Sequence, residues 1–406
     1  MTIAFPPRAT LRFATRCLAL LLSTAVLAST RGQGAHSPSP PALRIPLVSS
    51  RWRTHGSATF GTQEGFVAGL ARVGGSKGDE AVLLGPGFGD GTIEFDMKAQ
   101  GDGMPGVKFR YRDAGSAELL YLRTQPDCPV ETDCIQYVPI VHGVMPWNMY
   151  PQYQHSAPVA VAGWNHYRLV VSGRRMAVYV NREPAVVLAI GRLEGDATVG
   201  AIALEGPATF ANLTITPNVV GDLSAVAEVD PSLREGHYLR HWRVSPSAPT
   251  PLDRMSTYLQ RPADGGQWRR VTAERYGVIN LSRLYGSPTD ARIGALAWLT
   301  TDLRSPSARH VHVDMGFLSE ASVYLNGRLV FSGWNQYYPP KYRRVPDGRL
   351  CVTNAAFDLP LKKGVNRIDV ALNNILGVGH AHYGWGLAMR LGGRHDGRTD
   401  DGCSAG

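Results

Sequence analysis

The sequence predicts an all-β protein made of two consecutive β-sandwich domains of the jelly-roll type. Short segments in which apolar and polar residues alternate recur along most of the 406 residues, as expected of strands with one buried face. Charged residues make up only 18% of the chain, and glycine contributes 45 residues. Little charge and many turn residues are typical of short strands joined by loops, and the length leaves room for two or three domains.

The first set of predicted strands lies between residues 50 and 217. In the segment 107–112, alternation places apolar and aromatic residues on one predicted face and the cationic residues Lys108, Arg110 and Arg112 on the other. The predicted strands of this half are 92–98, 107–112, 119–123, 163–172, 176–181, 199–204 and 209–216.

A linker of small and polar residues, 218–236, leads to a second all-β half at 237–392. Asn326 and Gly327 are the clearest hairpin signal, because both residues tolerate the positive φ of a two-residue turn. Residues 393–406, rich in Gly, Asp and Arg, are expected to form a disordered tail. The predicted strands of this half are 237–244, 295–300, 308–315, 322–331, 357–361, 365–371 and 385–391.

The N-terminal segment has the pattern of a secretory signal peptide. Three arginines precede an apolar run at residues 17–28, which ends in small residues. We therefore expect residues 1–35 to be a cleaved signal peptide, residues 36–49 to be a flexible Pro/Ser-rich leader, and the protein to be secreted or periplasmic. The apolar run is shorter than the ~20 residues of a spanning helix, so no transmembrane segment is expected.

Four cysteines remain after the predicted cleavage, in a compartment where disulfides persist. Cys128 and Cys134 flank a short polar loop, and we expect a disulfide between them. Cys351 and Cys403 either pair or leave Cys403 as a free thiol in the predicted tail. No histidine or second close cysteine pair has the spacing of a zinc site. No cofactor and no metal site is therefore expected, although a structural Ca²⁺ held by loop oxygens stays open.

The net charge of +9 comes from scattered basic residues. No stripe of Lys and Arg with interleaved aromatic residues is present, which argues against nucleic acid as a partner. An attraction to anionic surfaces or acidic glycans is the most that the charge supports. The sequence leaves the oligomeric state open.

Seven segments of the first half carry a resemblance to a known superfamily. They are residues 91–96, 106–110, 121–123, 136–137, 163–171, 176–181 and 209–213. Together they resemble the laminin-G-like, or concanavalin A-like, sandwich, and within it the 3-keto-disaccharide-hydrolase-type domains of exported bacterial proteins. The resemblance implies the sandwich fold but no single activity, because the superfamily contains lectins, glucanases and inert spacers.

Four segments carry a second resemblance, in the other half of the chain. They are residues 297–300, 323–327, 361–368 and 384–387. Their order resembles a galactose-binding-like jelly roll, as found in non-catalytic modules attached to glycoside-processing enzymes. The resemblance implies an accessory module, which either binds sugar or serves as a spacer.

Two aromatic-rich loops are the candidate ligand sites, because sugar sites combine flat aromatic faces with polar groups for paired hydroxyls. The first is the long connection 123–155, whose candidates are Arg123, Gln136, Tyr137, His142, Trp147, Tyr150 and Tyr153. The second follows a strand of the second half and offers Trp334, Tyr337 and Tyr338. The alternative for the first loop is a plug that packs over the sandwich through its own aromatic residues.

Glu94 and Asp96 lie two residues apart on one predicted strand, ~6.5–7 Å from each other, and are candidates for a catalytic carboxylate pair. His142 is a candidate general base. The leading hypothesis is nevertheless an exported, non-catalytic protein that binds a poly- or oligosaccharide. The alternatives are a glycoside-active hydrolase of the 3-keto-disaccharide type and a structural spacer or protein-interaction protein of the cell envelope.

Overall fold

Strands make up 49% of the structure and helices 7%, which confirms the all-β prediction. The computed structural model describes residues 41–76, 78–234, 237–251, 260–286, 293–374, 383–392 and 403. The predicted signal peptide and most of the predicted C-terminal tail lie outside these residues. Among the described residues, no helix is long and apolar enough to cross a membrane.

The first half forms two antiparallel sheets with a buried core between them. Its strands are β1 Leu43–Arg44, β2 Trp52–His55, β3 Ala58–Gly61, β4 Leu70–Val73, β5 Glu80–Leu83, β6 Gly91–Ala99, β7 Gly106–Asp113, β8 Ser116–Leu122, β9 Ile135–Val141, β10 Gln154–His155, β11 Trp164–Ser172, β12 Arg175–Val180, β13 Leu188–Ile190, β14 Ala201–Glu205 and β15 Ala208–Pro217. Sheet A has the order β13-β12-β11-β6-β15-β4-β3, with β1 paired to β15. Sheet B has the order β10-β9-β8-β7-β14-β5-β2.

The second half forms another pair of sheets around its own core. Its strands are β16 His241–Val244, β17 Ala248–Pro251, β18 Arg269–Thr272, β19 Ile279–Asn280, β20 Ile293–Ser305, β21 Arg309–Phe317, β22 Ser319–Leu325, β23 Arg328–Asn335, β24 Ala355–Leu361, β25 Gly364–Asn374 and β26 Gly386–Leu391. Sheet C has the order β18-β16-β20-β25-β22-β23, with β17 paired to β20, and sheet D has the order β19-β26-β21-β24. The single described α-helix is α1, Leu281–Tyr285; the 3₁₀ segments are Ser49–Arg51, Trp147–Met149, Pro231–Leu233, Arg275–Gly277, Pro340–Tyr342 and Val352–Asn354.

Alternation along the strands places the core as the sequence predicts. In β6, Ile93, Phe95 and Met97 are buried between sheets A and B, while Glu94 and Asp96 lie half buried on the outer face of sheet A. Each strand of a half-buried sheet turns alternate side chains to the core, and the buried apolar area supplies most of the favourable free energy of folding.

A β-bulge overturns the faces predicted for β7. Phe109 points into the core, but the register shifts after it and Arg110 adopts a φ of 49°. Arg110 is consequently buried and donates to Asp90 at 2.9 Å, while Tyr111 joins the apolar cluster on the outer face of sheet B. The expectation that Arg110 shares a face with Lys108 was wrong, because one extra residue in a strand reverses the side to which the following side chains point.

Two segments expected to be irregular contain strands. Within the predicted leader, β1 pairs with β15 and Leu47 is fully buried, so the sandwich begins before residue 50. Within the predicted long connection 123–155, β9 crosses sheet B between β8 and β10. All seven residues of β9 are buried, and a strand buried on both faces lacks the alternation that reveals a strand in a sequence.

The predicted hairpin turn and disulfide are confirmed. Asn326 and Gly327 have φ values of 51° and 83° between β22 and β23. Cys128 is bonded to Cys134 in the loop before β9. Cys351 is bonded to Cys403, which decides between the two alternatives that the sequence left open.

A buried contact joins the two halves, and we call it the junction. Leu350 and Ala388 of the second half belong to the same apolar cluster as Met149 of the first half. Asn148 accepts a hydrogen bond from the backbone N of Gly384 at 2.8 Å and donates to its carbonyl at 3.4 Å. The paired amide satisfies two backbone groups that burial would otherwise leave unpaired.

Gly106, at the start of β7, is required by the close approach of β8. A Cβ at this position would collide with the carbonyl oxygen of Leu120 and lie 2.9 Å from the Cα of Tyr121. We therefore expect Gly106→Ala to lower the free energy of unfolding by about 1–3 kcal/mol in urea titrations. Gly61→Ala is the matched control, because no atom lies within 4 Å of its Cβ position. Equal stability of the two variants would contradict the described packing.

Candidate functional site

A row of polar side chains crosses the outer face of sheet B. Cross-strand pairing places one residue of each of the seven strands in this row: His55, Glu80, Glu205, Gly106, Tyr121, Gln136 and Gln154. Directly paired residues of antiparallel strands point to the same face of the sheet. The neighbouring residues in each strand, such as Leu120 and Leu204, point to the core.

A lysine between two carboxylates occupies one end of the row. Lys108 Nζ lies 2.9 Å from Glu80 Oε2 and 3.4 Å from Glu205 Oε1. Glu80 Oε1 also accepts from the Tyr111 hydroxyl at 2.7 Å and lies 2.9 Å from His55 Nδ1. The three partners of Glu80 converge on a carboxylate whose side chain is only 4% exposed.

The pKa values of the two carboxylates are shifted in opposite directions because their surroundings differ. Burial raises the pKa of Glu80, but hydrogen bonds from Tyr111, Lys108 and His55 outweigh it, and the net pKa is lowered. Burial also raises the pKa of Glu205, and there the attraction of Lys108 is too weak to compensate. Glu205 Oε2 is buried with no hydrogen-bond partner among the described residues, which accounts for the difference.

The side-chain amide of Gln136 lies towards the other end of the row. The Gln136 Oε1 atom accepts from the Tyr121 hydroxyl at 2.7 Å and from Arg123 Nη2 at 2.8 Å, and Gln136 Nε2 donates to the carbonyl of Trp147 at 3.2 Å. Gln136 is fully buried. Its amide is thus committed to positioning Arg123 and Trp147, rather than to a ligand.

Aromatic side chains from both halves meet beside this end of the row. The ring centroid of Trp147 lies 5.0 Å from that of Tyr337 and 5.3 Å from that of Tyr383, and both contacts are edge-on. Tyr337 in turn meets Tyr338 edge-on at 4.6 Å. We call Trp147, Tyr337, Tyr338 and Tyr383 the junction aromatic cluster. Trp147 is buried, Tyr337 and Tyr383 are half buried, and the Tyr338 side chain is 48% exposed.

Three guanidinium groups surround the junction aromatic cluster. Arg349 lies 5.5 Å from the ring of Trp147 and donates to Asp133 at 3.0 Å. Arg123 shares the same carboxylate, at 3.5 Å. Arg343 lies 4.4 Å from the centroid of the Tyr337 ring and 5.9 Å from that of Tyr338. Cations over aromatic faces are attracted to the ring quadrupole, so these residues order one another.

The remaining aromatic candidates of the first loop lie elsewhere. Tyr137 and Tyr153 are buried in the core between sheets A and B, where they contact Glu118 and Glu194, respectively, at 2.7 and 2.8 Å. Tyr150 is also buried and donates to Glu274 of the second half at 3.0 Å. For these three residues, the arrangement is the aromatic plug that the sequence left as the alternative.

The other two sequence candidates stand apart from the junction aromatic cluster. His142 is exposed in the turn after β9, with a φ of 49°. Trp334 stacks on Tyr342 at 5.1 Å. Neither makes a ring contact with the cluster.

Glu94 and Asp96 form a separate polar group on the outer face of sheet A. His166 Nδ1 lies 2.8 Å from Asp96 and its Nε2 lies 3.7 Å from Glu94. The hydrogen bond to Asp96 raises the pKa of His166. Burial alone would raise the pKa of Asp96, but hydrogen bonds from His166 and Asn212 lower it. Both acids are engaged with a neighbouring histidine, and they lie on the sheet that does not carry the polar row.

Sequence reasoning missed Glu80, Lys108 and Glu205 as a group. The three residues lie on three different strands, and only the order β7-β14-β5 in sheet B brings them together. Glu80 and Glu205 are separated by most of the first half, and no local spacing signals their pairing. Within the described part of the chain, no three His, Cys, Asp or Glu side chains converge as metal ligands.

Comparisons with known proteins concern the fold. No family model and no curated protein sequence matches this chain. A carbohydrate-binding module from Bacillus subtilis is 16% identical, with 42% of this chain and 93% of that chain covered and a TM-score of 0.28. A Bacillus subtilis protein of unknown function with a galectin-like fold is 14% identical, with coverages of 44% and 97% and a TM-score of 0.31.

A third solved structure is the exoplasmic/lumenal domain of VIP36 in its Ca²⁺/Man3GlcNAc-bound form. It is 16% identical, with 45% of this chain and 90% of that chain covered and a TM-score of 0.31. Each of the three likenesses covers less than half of this chain. They carry no argument about function, which has to come from the site itself.

Two buried carboxyl groups near the junction predict a pH dependence of stability. Burial raises the pKa of Glu118 to about 7, and burial together with the charge of Glu274 raises that of Glu194 to about 7. An unfolded glutamate titrates near ~4.3, so the folded state binds more protons between these values. The protonated carboxyl groups of Glu118 and Glu194 therefore stabilise the folded state fully below the pKa of glutamate in the unfolded state. This stabilisation is lost as the pH rises through about 7.

We therefore expect the urea midpoint to fall between pH 5 and pH 8, and Glu194→Gln to reduce that fall because a neutral amide needs no proton. Glu64→Gln, at an exposed position, is the control and should leave the pH dependence unchanged. A midpoint that rises over this interval, or an unaltered fall in Glu194→Gln, would show that Glu194 is not held protonated by burial.

Proposed function

We propose that this protein binds carbohydrate at the junction aromatic cluster, and that it does so as an exported, non-catalytic protein. The observation that carries the proposal is the convergence of two aromatic-rich loops from different halves of the chain: Trp147 contacts both Tyr337 and Tyr383. Tyrosine faces of this kind pack against the C–H groups of a pyranose, and their hydroxyls reach polar partners.

Polar groups beside the cluster suit the hydroxyls of a sugar. Arg343 places a planar donor group next to the rings of Tyr337 and Tyr338, and a guanidinium donates to two oxygens at once. Cavities and clefts with apolar walls and a few fixed polar groups are the usual ligand sites of proteins. The amide of Gln136 holds the segment of Trp147 in place before any ligand arrives, because it donates to the carbonyl of Trp147.

The polar row extends the site across sheet B. Five strand spacings separate Gln136 in β9 from His55 in β2, which corresponds to ~24 Å. Glu205 and His55 are the partly exposed members of the row at its far end, with side chains 27% and 45% exposed. Glu80, Tyr121 and Gln136 between them are buried, so a ligand that reaches both the cluster and the exposed end of the row would be an oligosaccharide rather than a single sugar. The two disulfides are typical of proteins of an oxidising compartment, where such glycans occur.

The test of glycan binding is Tyr338→Ala, because Tyr338 is the exposed member of the cluster. We expect affinity for a glycan of a broad panel to fall about tenfold, as the loss of an aromatic anchor costs ~1–2 kcal/mol. Titration calorimetry of the full chain measures the loss.

Tyr179→Ala is the matched control for Tyr338→Ala. Tyr179 is also covered by a guanidinium, that of Arg168 at 3.7 Å, but it lies on sheet A. Equal affinities of the Tyr338→Ala variant and the unaltered protein, or an equal loss in the control, would remove the junction aromatic cluster as the binding site.

A second candidate function is glycoside hydrolysis, one of the activities found in the superfamily that the first half resembles. It is favoured by Glu80 and Glu205, whose facing oxygens contact one ammonium at 2.9 and 3.4 Å. The two oxygens are therefore at most about 6.3 Å apart, a range that includes the ~5–5.5 Å of retaining glycosidases. Opposite pKa shifts suit Glu205 as the acid and Glu80 as the carboxylate that stays ionised. The ammonium of Lys108 would have to move out from between the two carboxylates when the substrate binds.

Released sugar distinguishes the second candidate from simple binding. If neutral or 3-keto disaccharides are cleaved, we expect Glu205→Gln to lower the rate at least about a hundredfold, since an amide cannot protonate the leaving group. Glu94→Gln, on sheet A, should leave the rate unchanged. No product from any disaccharide, or a loss confined to Glu94→Gln, would exclude Glu80 and Glu205 as the catalytic pair.

A further inference from the structure

We infer that the glycan bound at the junction is anionic and that Arg343 pairs with its carboxylate or sulfate groups. The inference rests on the proposed function, because it concerns the same site. It names the chemical class of the ligand, which neither the resemblance nor the proposed binding site specifies.

The charges in contact with the junction aromatic cluster are mostly positive. Arg349, Arg343 and Arg123 lie against its rings or hold its loops, and Asp133 is the carboxylate that they contact. Asp133 is already shared by Arg123 and Arg349, at 3.5 and 3.0 Å. One carboxylate between two guanidinium groups leaves a local excess of positive charge.

Arg343 is the cation left for a ligand. Its Nε and Nη2 atoms donate to the carbonyl of Tyr337, at 3.1 and 3.0 Å. In the described part of the chain, no carboxylate forms an ion pair with it. Its guanidinium is half buried and lies 5.9 Å from the centroid of the exposed ring of Tyr338. A planar cation held in place by backbone and ring is prepared to bind a carboxylate or sulfate through parallel hydrogen bonds.

Because the guanidinium of Arg343 is half buried, an ion pair with it is stronger than an ion pair at an open surface. A cation that has lost part of its hydration gains more from an opposite charge than a fully solvated one. A neutral hydroxyl would offer the guanidinium a weaker hydrogen bond and leave its charge uncompensated. The aromatic faces favour a sugar ring next to this charge, so the matching ligand is a glycan that carries acidic groups.

Three acidic residues in neighbouring loops are exposed to solvent. Asp127 and Glu131 belong to the exposed loop closed by the Cys128–Cys134 disulfide, and Asp347 is exposed in the turn after Arg344. Exposed charges of this kind are screened by salt. The cation of Lys341, also exposed, lies in the same loop as Arg343.

The test compares polygalacturonate with its methyl ester, because esterification removes the charge and keeps the sugar backbone. We expect the full chain to bind polygalacturonate at least about tenfold more tightly than the ester at low salt, and the preference to shrink as the salt concentration rises. Arg343→Gln should remove most of the preference. Arg328→Gln, an equal loss of charge at the exposed start of β23, should leave it intact, and thermal unfolding should show that both variants are folded.

Three outcomes would overturn the inference. Equal affinity for the two polymers, with both lost in Tyr338→Ala, would leave carbohydrate binding standing and reject the anionic ligand. Equal weakening of polygalacturonate binding by Arg343→Gln and Arg328→Gln would assign the preference to the net charge of the protein and not to the site. Absence of binding to every glycan of the panel would reject the proposed function, and the inference with it.

Binding of dextran sulfate that is lost in Arg343→Gln supports the inference with sulfate as the paired group.

Discussion

The contact between the two sandwiches determines where the residues of the junction aromatic cluster lie. The segment after β9 carries Trp147 and Asn148, and it is held from one side by Gln136 and from the other by the backbone of Gly384. Buried polar groups cost several kilocalories per mole unless they are paired. These hydrogen bonds therefore allow only a narrow range of positions for the segment, and the aromatic cluster and its guanidinium groups follow from that position.

The same requirement explains the second polar network of the junction. Arg283 of α1 donates to Glu274 at 2.8 Å and to the carbonyl of Glu194 at 2.7 Å, while Tyr153 donates to the carboxyl group of Glu194. Groups from both halves are thereby paired inside one buried region. Such networks favour one arrangement over alternatives that leave a group unpaired. The protein thus holds its two halves together by specific polar contacts as well as by apolar packing.

Local patterns in the sequence predicted most of the strands and the aromatic residues of the site, but not its group of carboxylates. Alternation in β6 and the Asn326-Gly327 turn depend on neighbouring residues alone, and both were predicted from them. The bulge at Arg110 reversed a face because a single backbone conformation does so without any change in composition. Aromatic density pointed to the loops of Trp147 and Tyr337, whereas burial separated Tyr137 from them. The Glu80–Lys108–Glu205 group depends on strand order, which one sequence does not reveal.

The disulfide between Cys351 and Cys403 has a practical consequence for anyone who studies this protein. Cys351 precedes the 3₁₀ segment Val352–Asn354, and Val352 is buried in the apolar cluster at the junction. Residue 403 is therefore tethered a few residues from the contact between the sandwiches. A fluorophore or affinity tag fused after residue 403 would therefore be held beside the proposed binding region. A small fluorophore would report on that region, whereas a large tag would obstruct it.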